Sequence, residues 1–362
     1  MATALEDVLG YVPLTGLIQK VETGIPEVVP PAFWDSRNRT TTIKDVGRYT
    51  VTRGTRQTAR RVDYDSPALK RELSSVGSQD VKLPTFYEYT EFNHSDFMLL
   101  REYNSPMLMK KGRDELDRQV LEFKQKFDNL SVAMVHSMLA LGKIHFDSSG
   151  NLLYSSSGAD VTIDFGIPSA NRDQVSGVIA ASWDTASTDI PSHVRGLKKY
   201  MRQLCGKKPK YAFYGSAVPG MLQKNDYLKD WWVRYQKMNE AYLDTTDIPP
   251  GFLGLIWVPA YEAFYSDSTA TIREWFGSDQ ITLIPEIDQT VYEYMDGSFY
   301  VPKSFEPQPS IQAALDSSEE VTDLTMWAEP ITNPMRAKLF CKRVGVPIWK
   351  NENAMLICDV KP

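Results

Sequence analysis

The sequence predicts an α+β protein, on three observations. A long amphipathic helix is written across residues 113–142. Helices and strands then follow one another without the regular alternation of a parallel α/β sheet. Most of the chain after Phe252 reads as strand and loop. The 362 residues are 42% hydrophobic, enough to bury a core and long enough for two or three domains. Mean hydropathy is −0.34, and no run of about 18 apolar residues exists, so no membrane span is expected. The start, Met1 to Asp7, has early acids and no apolar h-region, so a signal peptide is not expected. Cys205, Cys341 and Cys358 are widely spaced, which predicts reduced thiols in a cytosolic protein and no metal site.

Residues 1–32 read as a short helix followed by a tether marked by Pro26, Pro30 and Pro31. From Thr40 to Asp65 the chain is rich in Thr, Val, Tyr and Arg. Thr50–Thr58 has strand character, and Gly54 could mark a turn. Almost nothing in Arg48–Arg61 is apolar enough to anchor a core, which predicts a two-stranded arm. An isolated hairpin is marginal in water, so such an arm needs a partner surface. A disordered polar loop is the other reading.

The helix over 113–142 rests on Leu116, Val120, Phe123, Phe127, Leu130, Met134, Met138 and Leu141, spaced by threes and fours. Asp114, Glu115 and Asp117 suit the positive end of its dipole, and Gly142 is placed to end it. Thirty helical residues span about 45 Å, a strut whose stripe is core. Strands are predicted over Lys143–Phe146, Asn151–Ser155 and Asp160–Phe165, with Asp-Ser-Ser-Gly and Ser-Ser-Gly turns between them. A second helix is predicted over Pro191–Leu204, with Asp189 as its N-cap and Gly206 as its stop. Val194, Leu197, Met201 and Leu204 form its apolar face. Tyr211–Tyr214 reads as a strand, Ser216 as a cap for a helix toward Gln223, and Trp231–Tyr242 as helix. Phe252–Val258, Ile281–Ile284, Lys338–Val344 and Ala354–Asp359 read as strands.

The net charge of −6 conceals an asymmetry. Between Ser36 and Arg61 lie Arg37, Arg39, Lys44, Arg48, Arg53, Arg56, Arg60 and Arg61, opposed only by Asp45. That segment carries +7, so the remainder carries −13. Ten acids lie between Pro285 and Pro330, against the single base Lys303. Arg48, Arg53, Arg56, Arg60 and Arg61 are therefore the expected contact residues of the arm. Glu286, Asp288, Glu319, Glu320 and Asp323 are candidate acidic counterparts in a neighbouring copy. Nucleic-acid binding by residues 37–61 is an alternative, although the segment has few aromatics beyond Tyr49 on which bases could stack.

Signatures of catalysis are absent. There is no phosphate loop, G-x-G-x-x-G, G-x-S-x-G or H-E-x-x-H. Of His94, His136, His145 and His193, no pair has metal-ligand spacing, and His136 sits near the helix stripe as a packing residue. The acids after Pro285 could hold a glycosidase pair, as any acidic segment could. No catalytic residue, cofactor or metal ligand is assigned.

Several short motifs recur in one order. Ala140-Leu-Gly-Lys143 ends the long helix, followed by Val161-Thr-Ile-Asp-Phe-Gly166, Ser182-Trp-Asp184, Asp189-Ile-Pro and Gly206-Lys-Lys-Pro209. Near the end come Trp327-Ala-Glu-Pro330, Val346-Pro-Ile348, Asn351-Glu-Asn353 and a strand over Leu356–Val360. In this order the chain resembles the lambda-type major capsid protein E family of tailed bacteriophages. The likeness runs over roughly residues 30 to 360 and is firmest in 113–225 and 325–360; the aromatic-rich segment Tyr261–Phe276 departs from it. The resemblance implies the capsid fold named after phage Hong Kong 97. Residues 1–35 would be an N-terminal arm and 36–80 an extended hairpin loop. Residues 81–177 would form a peripheral domain with its spine helix over 113–142, and 178–325 an axial domain. The strands of 326–362 would return to the peripheral domain. It further implies pentamers and hexamers of this chain in an icosahedral head around double-stranded DNA, touched weakly and without sequence preference. Portal, scaffolding and decoration proteins would be partners. Assembly would occur in the host cytoplasm, and the mature location would be the virion. A cellular nanocompartment shell of the same fold is the nearest alternative.

Overall fold

The computed structural model describes residues 11–43, 46–52, 76–92, 106–230, 248–249, 251–261, 263–265, 272–302, 318–332 and 335–362. Helix α1 (Tyr11–Lys20) leads through 3-10 turns to β1 (Arg39–Thr42), β2 (Val46–Thr52), β3 (Val76–Lys82) and β4 (Thr85–Phe92). The long helix α2 (Pro106–Leu141) follows, then β5 (Lys143–Phe146), β6 (Leu152–Leu153), β7 (Val161–Asp164) and β8 (Arg172–Asp173). Next come α3 (Ile190–Cys205), β9 (Pro209–Tyr214) and α4 (Val218–Lys224). The rest is strand: β10 (Ile256–Pro259), β11 (Ala263–Tyr265), β12 (Ile272–Glu274), β13 (Gln280–Pro285), β14 (Tyr292–Gly297), β15 (Phe299–Pro302), β16 (Ser318–Val321), β17 (Thr325–Thr332), β18 (Met335–Trp349) and β19 (Leu356–Asp359). The α+β class is met.

Helix α2 has 36 residues and starts seven residues before its expected beginning. Its two halves are buried differently. Leu116, Val120, Phe123 and Phe127 form one stripe against Leu14 and Ile18 of α1 and the inner face of β17 and β18. From Ser131 to Ala140 every residue is buried, so the stripe widens to the whole circumference. His136 lies in that enclosed part, edge-on to Phe276, and burial lowers its pKa from 6.5 to about 4. The unfolded chain binds this proton more readily than the native one, so native stability falls as pH drops from 6.5 toward 4. Chemical denaturation across that window should show a loss on the order of a few kcal/mol, attenuated in His136→Leu. An equal pH slope in the variant would remove His136 as its source.

The end of α2 is set locally. Gly142 adopts φ 62°, and its N–H donates to the Met138 carbonyl at 2.9 Å. A Cβ there would also stand 2.8 Å from Ile167 Cγ1. Gly142→Ala should therefore cost about 1 kcal/mol from the backbone alone, with the clash added, measurable as a lowered melting temperature. Helix α3 has both of its expected ends. Asp189 accepts from the Ser192 N–H at 2.9 Å, and Gly206 closes it at φ 78°. Asp189→Ala should cost about 1 kcal/mol by the same measurement.

Two five-stranded sheets organise the molecule. In the first, β14 lies between parallel β1 and antiparallel β18, and the earlier part of β18 lies between β17 and β4. The second has the order β10-β9-β13-β19-β8. Helices α3 and α4 contribute Val194, Leu197, Met201 and Leu222 to a core shared with Ile281, Leu283, Leu356 and Cys358 of the second sheet. The end of α2 is bonded to that sheet as well: Thr282 Oγ1 donates to the Leu139 carbonyl at 3.0 Å, and Gln280 Nε2 to that of Ala140 at 2.6 Å.

Other expectations are adjusted. Ser216 does not cap α4; Ala217 takes the N-cap position without a side-chain bond, because the Ser216 hydroxyl faces Glu274 at 3.4 Å. The Phe252–Val258 strand is reduced to its second half, since Phe252–Gly254 forms a 3-10 turn. Asn151–Ser155 contracts to Leu152–Leu153. The C-terminal strands divide: β17 and β18 join the first sheet, whereas β19 enters the second, beside β13. A 3-10 turn at Glu352–Ala354, capped by Asn351, redirects the chain between them. The expected helix at Trp231–Tyr242 lies outside the described residues apart from its flank. Burial raises the thiol pKa of Cys341 and Cys358 well above its ordinary value, so both stay protonated packing groups at neutral pH. Among the described residues, no helix is long and apolar enough to cross a membrane.

Candidate intersubunit surface

The root of the expected arm is an antiparallel hairpin of β2 and β3, registered from Val46 opposite Lys82 to Thr52 opposite Val76. Alternation sorts its side chains. Tyr49 and Val81 point into the first core, where Leu83 and the partly buried Val51 join them. Arg48, Thr50, Ser78 and Asp80 face outward. The Tyr49 hydroxyl donates to Gln79 Oε1 at 2.8 Å, and Gln79 Nε2 donates to the Asp164 carbonyl at 3.3 Å. Burial, with the nearby Asp164 charge, pushes the Tyr49 phenol up to about 12. Gly47 passes so close to Met295 that a Cβ would meet its sulfur at 1.9 Å. Gly47→Val should consequently unseat the hairpin root, seen as accelerated amide exchange in β2 and β3 with the second sheet unchanged.

The sequence-assigned contact residues are distributed unevenly. Arg48 lies on the outer face of β2 and pairs with Asp80 across the hairpin at 2.7 Å, which holds that carboxyl below its ordinary range. Arg53, Arg56, Arg60 and Arg61 lie outside the described residues, as does Gly54. Among the candidate counterparts, Glu286 pairs with Lys210 and Asp288 with Lys207, each at 2.6 Å and within the chain. Glu319 and Glu320 are exposed on β16, opposite Val301 and Tyr300 of β15.

Asp323 belongs to a partly buried charge cluster that the sequence reading missed, in which Asp296 and Arg343 are the enclosed members. Its carboxylate receives Arg39 Nη1 at 2.9 Å, and Arg39 Nε reaches Asp296 at 2.9 Å. Arg343 lies 4.8 Å from the Tyr294 ring centroid, its Nη2 is 3.8 Å from Asp323, and its Nη1 donates to Ser131 Oγ at 2.6 Å. The arginines outweigh burial at Asp323 and lower its pKa, whereas at Asp296 burial outweighs Arg39 and raises it. The cluster joins β1, which precedes the hairpin, to β14, β18 and α2. No spacing signal announces it, because its members lie far apart in sequence.

A second feature also escaped the sequence reading. On the outer face of the first sheet, Tyr87 stacks on Trp327 and Phe340 at 5.7 and 5.5 Å, and Tyr89 tilts against Phe340. Lys338 lies 4.6 Å from the Tyr89 ring centroid. Both tyrosines remain more than half exposed. The opposite face carries Leu339, Cys341, Met326 and Ala328 against α2. Phe86 turns to the helix side, so aromatics occupy both faces of β4 and blur its period of two.

Elsewhere, His145 Nδ1 meets Thr162 Oγ1 at 2.9 Å on the β5–β7 ladder, and His193 Nδ1 faces the Trp183 indole N–H at 3.1 Å. Among the described residues, no group of three or more His, Cys, Asp or Glu side chains is arranged to hold a metal ion.

The combination of a long helix, two sheets and a strand hairpin over nearly the whole chain has a counterpart in a solved structure. A chain described as the capsid protein of an Escherichia coli CFT073 prophage superposes with a TM-score of 0.53, covering 97% of this chain and 99% of that one at 12% identity. The fold is a phage capsid fold. A phage-related protein from Bordetella bronchiseptica RB50 gives a TM-score of 0.47 at 8% identity, with 97% of each chain covered. A chain of the satellite phage P4 procapsid gives 0.45 at 10% identity, covering 95% of this chain and 89% of that one. No protein-family model matches the sequence, and no curated protein matches it.

Proposed function

We propose that this chain is the major capsid protein of a tailed bacteriophage, of the lambda-type E family, and that it acts by assembly without catalysing a reaction. Copies form pentamers and hexamers that close an icosahedral head around double-stranded DNA, in the Hong Kong 97 arrangement. The β2–β3 hairpin is the root of the extended loop, α2 is the spine helix, and α3 with the second sheet forms the axial part. The whole-length likeness to the prophage capsid chain carries this reading. The hairpin supports it, because its inner face is seated on the body while its outer face exposes the Arg48–Asp80 pair with Thr50 and Ser78.

Closure into rings uses heterologous contacts, with different surfaces meeting at each joint. Each can be weak, since every subunit is held by several at once. Portal, scaffolding and decoration proteins are the expected additional partners, and the virion is the expected location. Negative-stain microscopy of the purified full-length chain should show closed shells of uniform diameter. Discrete monomers at concentrations where capsid proteins assemble would refute the reading. Nuclease-resistant DNA in particles recovered from producing cells separates a virion from a cellular compartment shell of the same fold.

A further inference from the structure

We propose that the open edge of β4, with the groove beside it, is a seat where a second copy of this chain adds an extended segment as a further strand. The occupant rests on the shell reading; the seat rests on the geometry of β4. Among the described residues, β4 has a strand partner on one side only, β18. The Gly345 N–H donates to the Pro84 carbonyl at 3.3 Å, and Thr85 stands opposite Val344. Opposed residues of an antiparallel pair alternate between bonded and non-bonded positions. Phe86, Glu88 and Thr90 therefore bond to β18, whereas Thr85, Tyr87 and Tyr89 turn their N–H and C=O groups to the far side. No backbone bond among the described residues receives those groups.

A groove of about 650 Å³ is lined by Thr85–Glu88, by α2 between Glu122 and Ala133, by the turn Ser149–Leu152 and by Trp275. No described residue of β17 or β18 lines it, so it lies on the open side of β4. Trp275 is only 5% exposed, yet its indole N–H has no acceptor among the described residues. A buried donor left unpaired costs stability, and a carbonyl of an entering backbone would satisfy it. The edge of β17 in the same sheet is closed from within. Thr15 of α1 accepts the Met326 N–H at 3.2 Å and donates to the Met326 carbonyl at 3.1 Å. Among the described residues β4 has no such cover. It is eight residues long and carries Tyr87 and Tyr89, both more than half exposed. An edge of that kind is a template for another strand.

Continuity with the hairpin surface identifies the occupant as a second copy. Only Leu83 and Pro84 separate β3 from β4, so Lys82 of the hairpin and Thr85 are at most about 11 Å apart. A copy held at the outer face of the root is beside this edge. A ring closed by heterologous contacts needs a receiving surface distinct from the one offered, and an open edge in a groove receives. The charges of the rim are offset within the subunit, Lys126 against Glu88 and Arg118 against Glu122. The groove therefore suits an uncharged extended segment, with alternate side chains over Phe86, Leu130 and Leu152. It is separate from any contact made by the arginines of the arm.

Amide exchange of the full-length chain, read by mass spectrometry on dissociated and associated protein, tests the seat. Sedimentation velocity measures association, and microscopy scores particles separately. Association should slow exchange across Thr85–Tyr89 at least about tenfold. Thr85→Pro removes an outward N–H that the β18 ladder does not use, and proline is tolerated at such an edge position. Trp275→Phe keeps a ring and removes the indole donor. Each variant should raise the concentration for half-association at least about fivefold, the loss of one hydrogen bond, with the dissociated subunit still folded by circular dichroism. Particles in which Thr85–Tyr89 exchange at the dissociated rate, or both variants assembling at the wild-type concentration, would overturn the proposal and leave the shell reading standing. Slowed exchange in small oligomers, with no closed particles, would support the seat and defeat the shell reading. Slowed exchange only in particles from producing cells that hold another protein would overturn the second copy as occupant. No association of the wild type at any concentration would overturn both.

Discussion

Replacing Arg343 with alanine is expected to destabilise the subunit by about 3–5 kcal/mol. The guanidinium is buried beneath the first sheet, 4.8 Å from the Tyr294 ring centroid, and donates to Ser131 of α2 at 2.6 Å. Its positive charge also helps offset Asp296 and Asp323, which otherwise share Arg39. Truncation removes the bond to α2, opens a cavity in the sheet–helix interface and leaves two carboxylates with one cation. Burial makes each of those losses larger than at the surface, where the same pairs would be screened. Urea denaturation followed by tryptophan fluorescence measures the change. Arg343→Lys should recover only a fraction, because an ammonium cannot reach Ser131 while lying flat on the ring. A loss below about 1 kcal/mol for the alanine variant would show that the cluster contributes little.

Reversing Arg53, Arg56, Arg60 and Arg61 to glutamate should abolish closed particles while leaving the subunit folded. These residues follow β2 and lie outside the described residues, so the expectation rests on their charge and on the seating of the root. That root is fixed by Tyr49, Gln79 and Gly47, none of which is altered in the variant. The reversal replaces four positive charges by four negative ones in every copy. A contact that was attractive becomes repulsive at every equivalent joint of a shell, and the effect multiplies through closure. Far-UV circular dichroism and the melting temperature should match the wild type, while microscopy should show no shells. Normal particles would exclude the arginines from assembly.

The parts of the fold legible in the sequence are those decided within a turn or two of chain. The α2 stripe, its stop at Gly142 and the two caps of α3 follow from helical spacing and from bonds between residues three or four apart. Of the hairpin root, only part of β2 was legible, from its Thr and Val content; its partner β3, over Val76–Lys82, was not read as a strand. The acidic segment misled in part. Its charge was visible, but its pairing was not: Glu286 and Asp288 meet lysines at the start of β9 and just before it, and Asp323 meets arginines from both ends of the chain. The outer aromatic face of β4 was hidden because a strand with rings on both sides loses its alternation.

Sequence alone determined the α+β class and the strut helix, and it supplied the expectations of a basic arm and, through its resemblance to phage capsid proteins, of a shell. Tertiary structure decided which strands share a sheet, which charges are structural and which remain outward. Arg39 and Asp323 are separated by 284 residues yet lie 2.9 Å apart. The reason is physical: a cap or a stripe is a local bond or spacing, whereas a strand's partner and a charge's partner are chosen by how the whole chain closes around its cores.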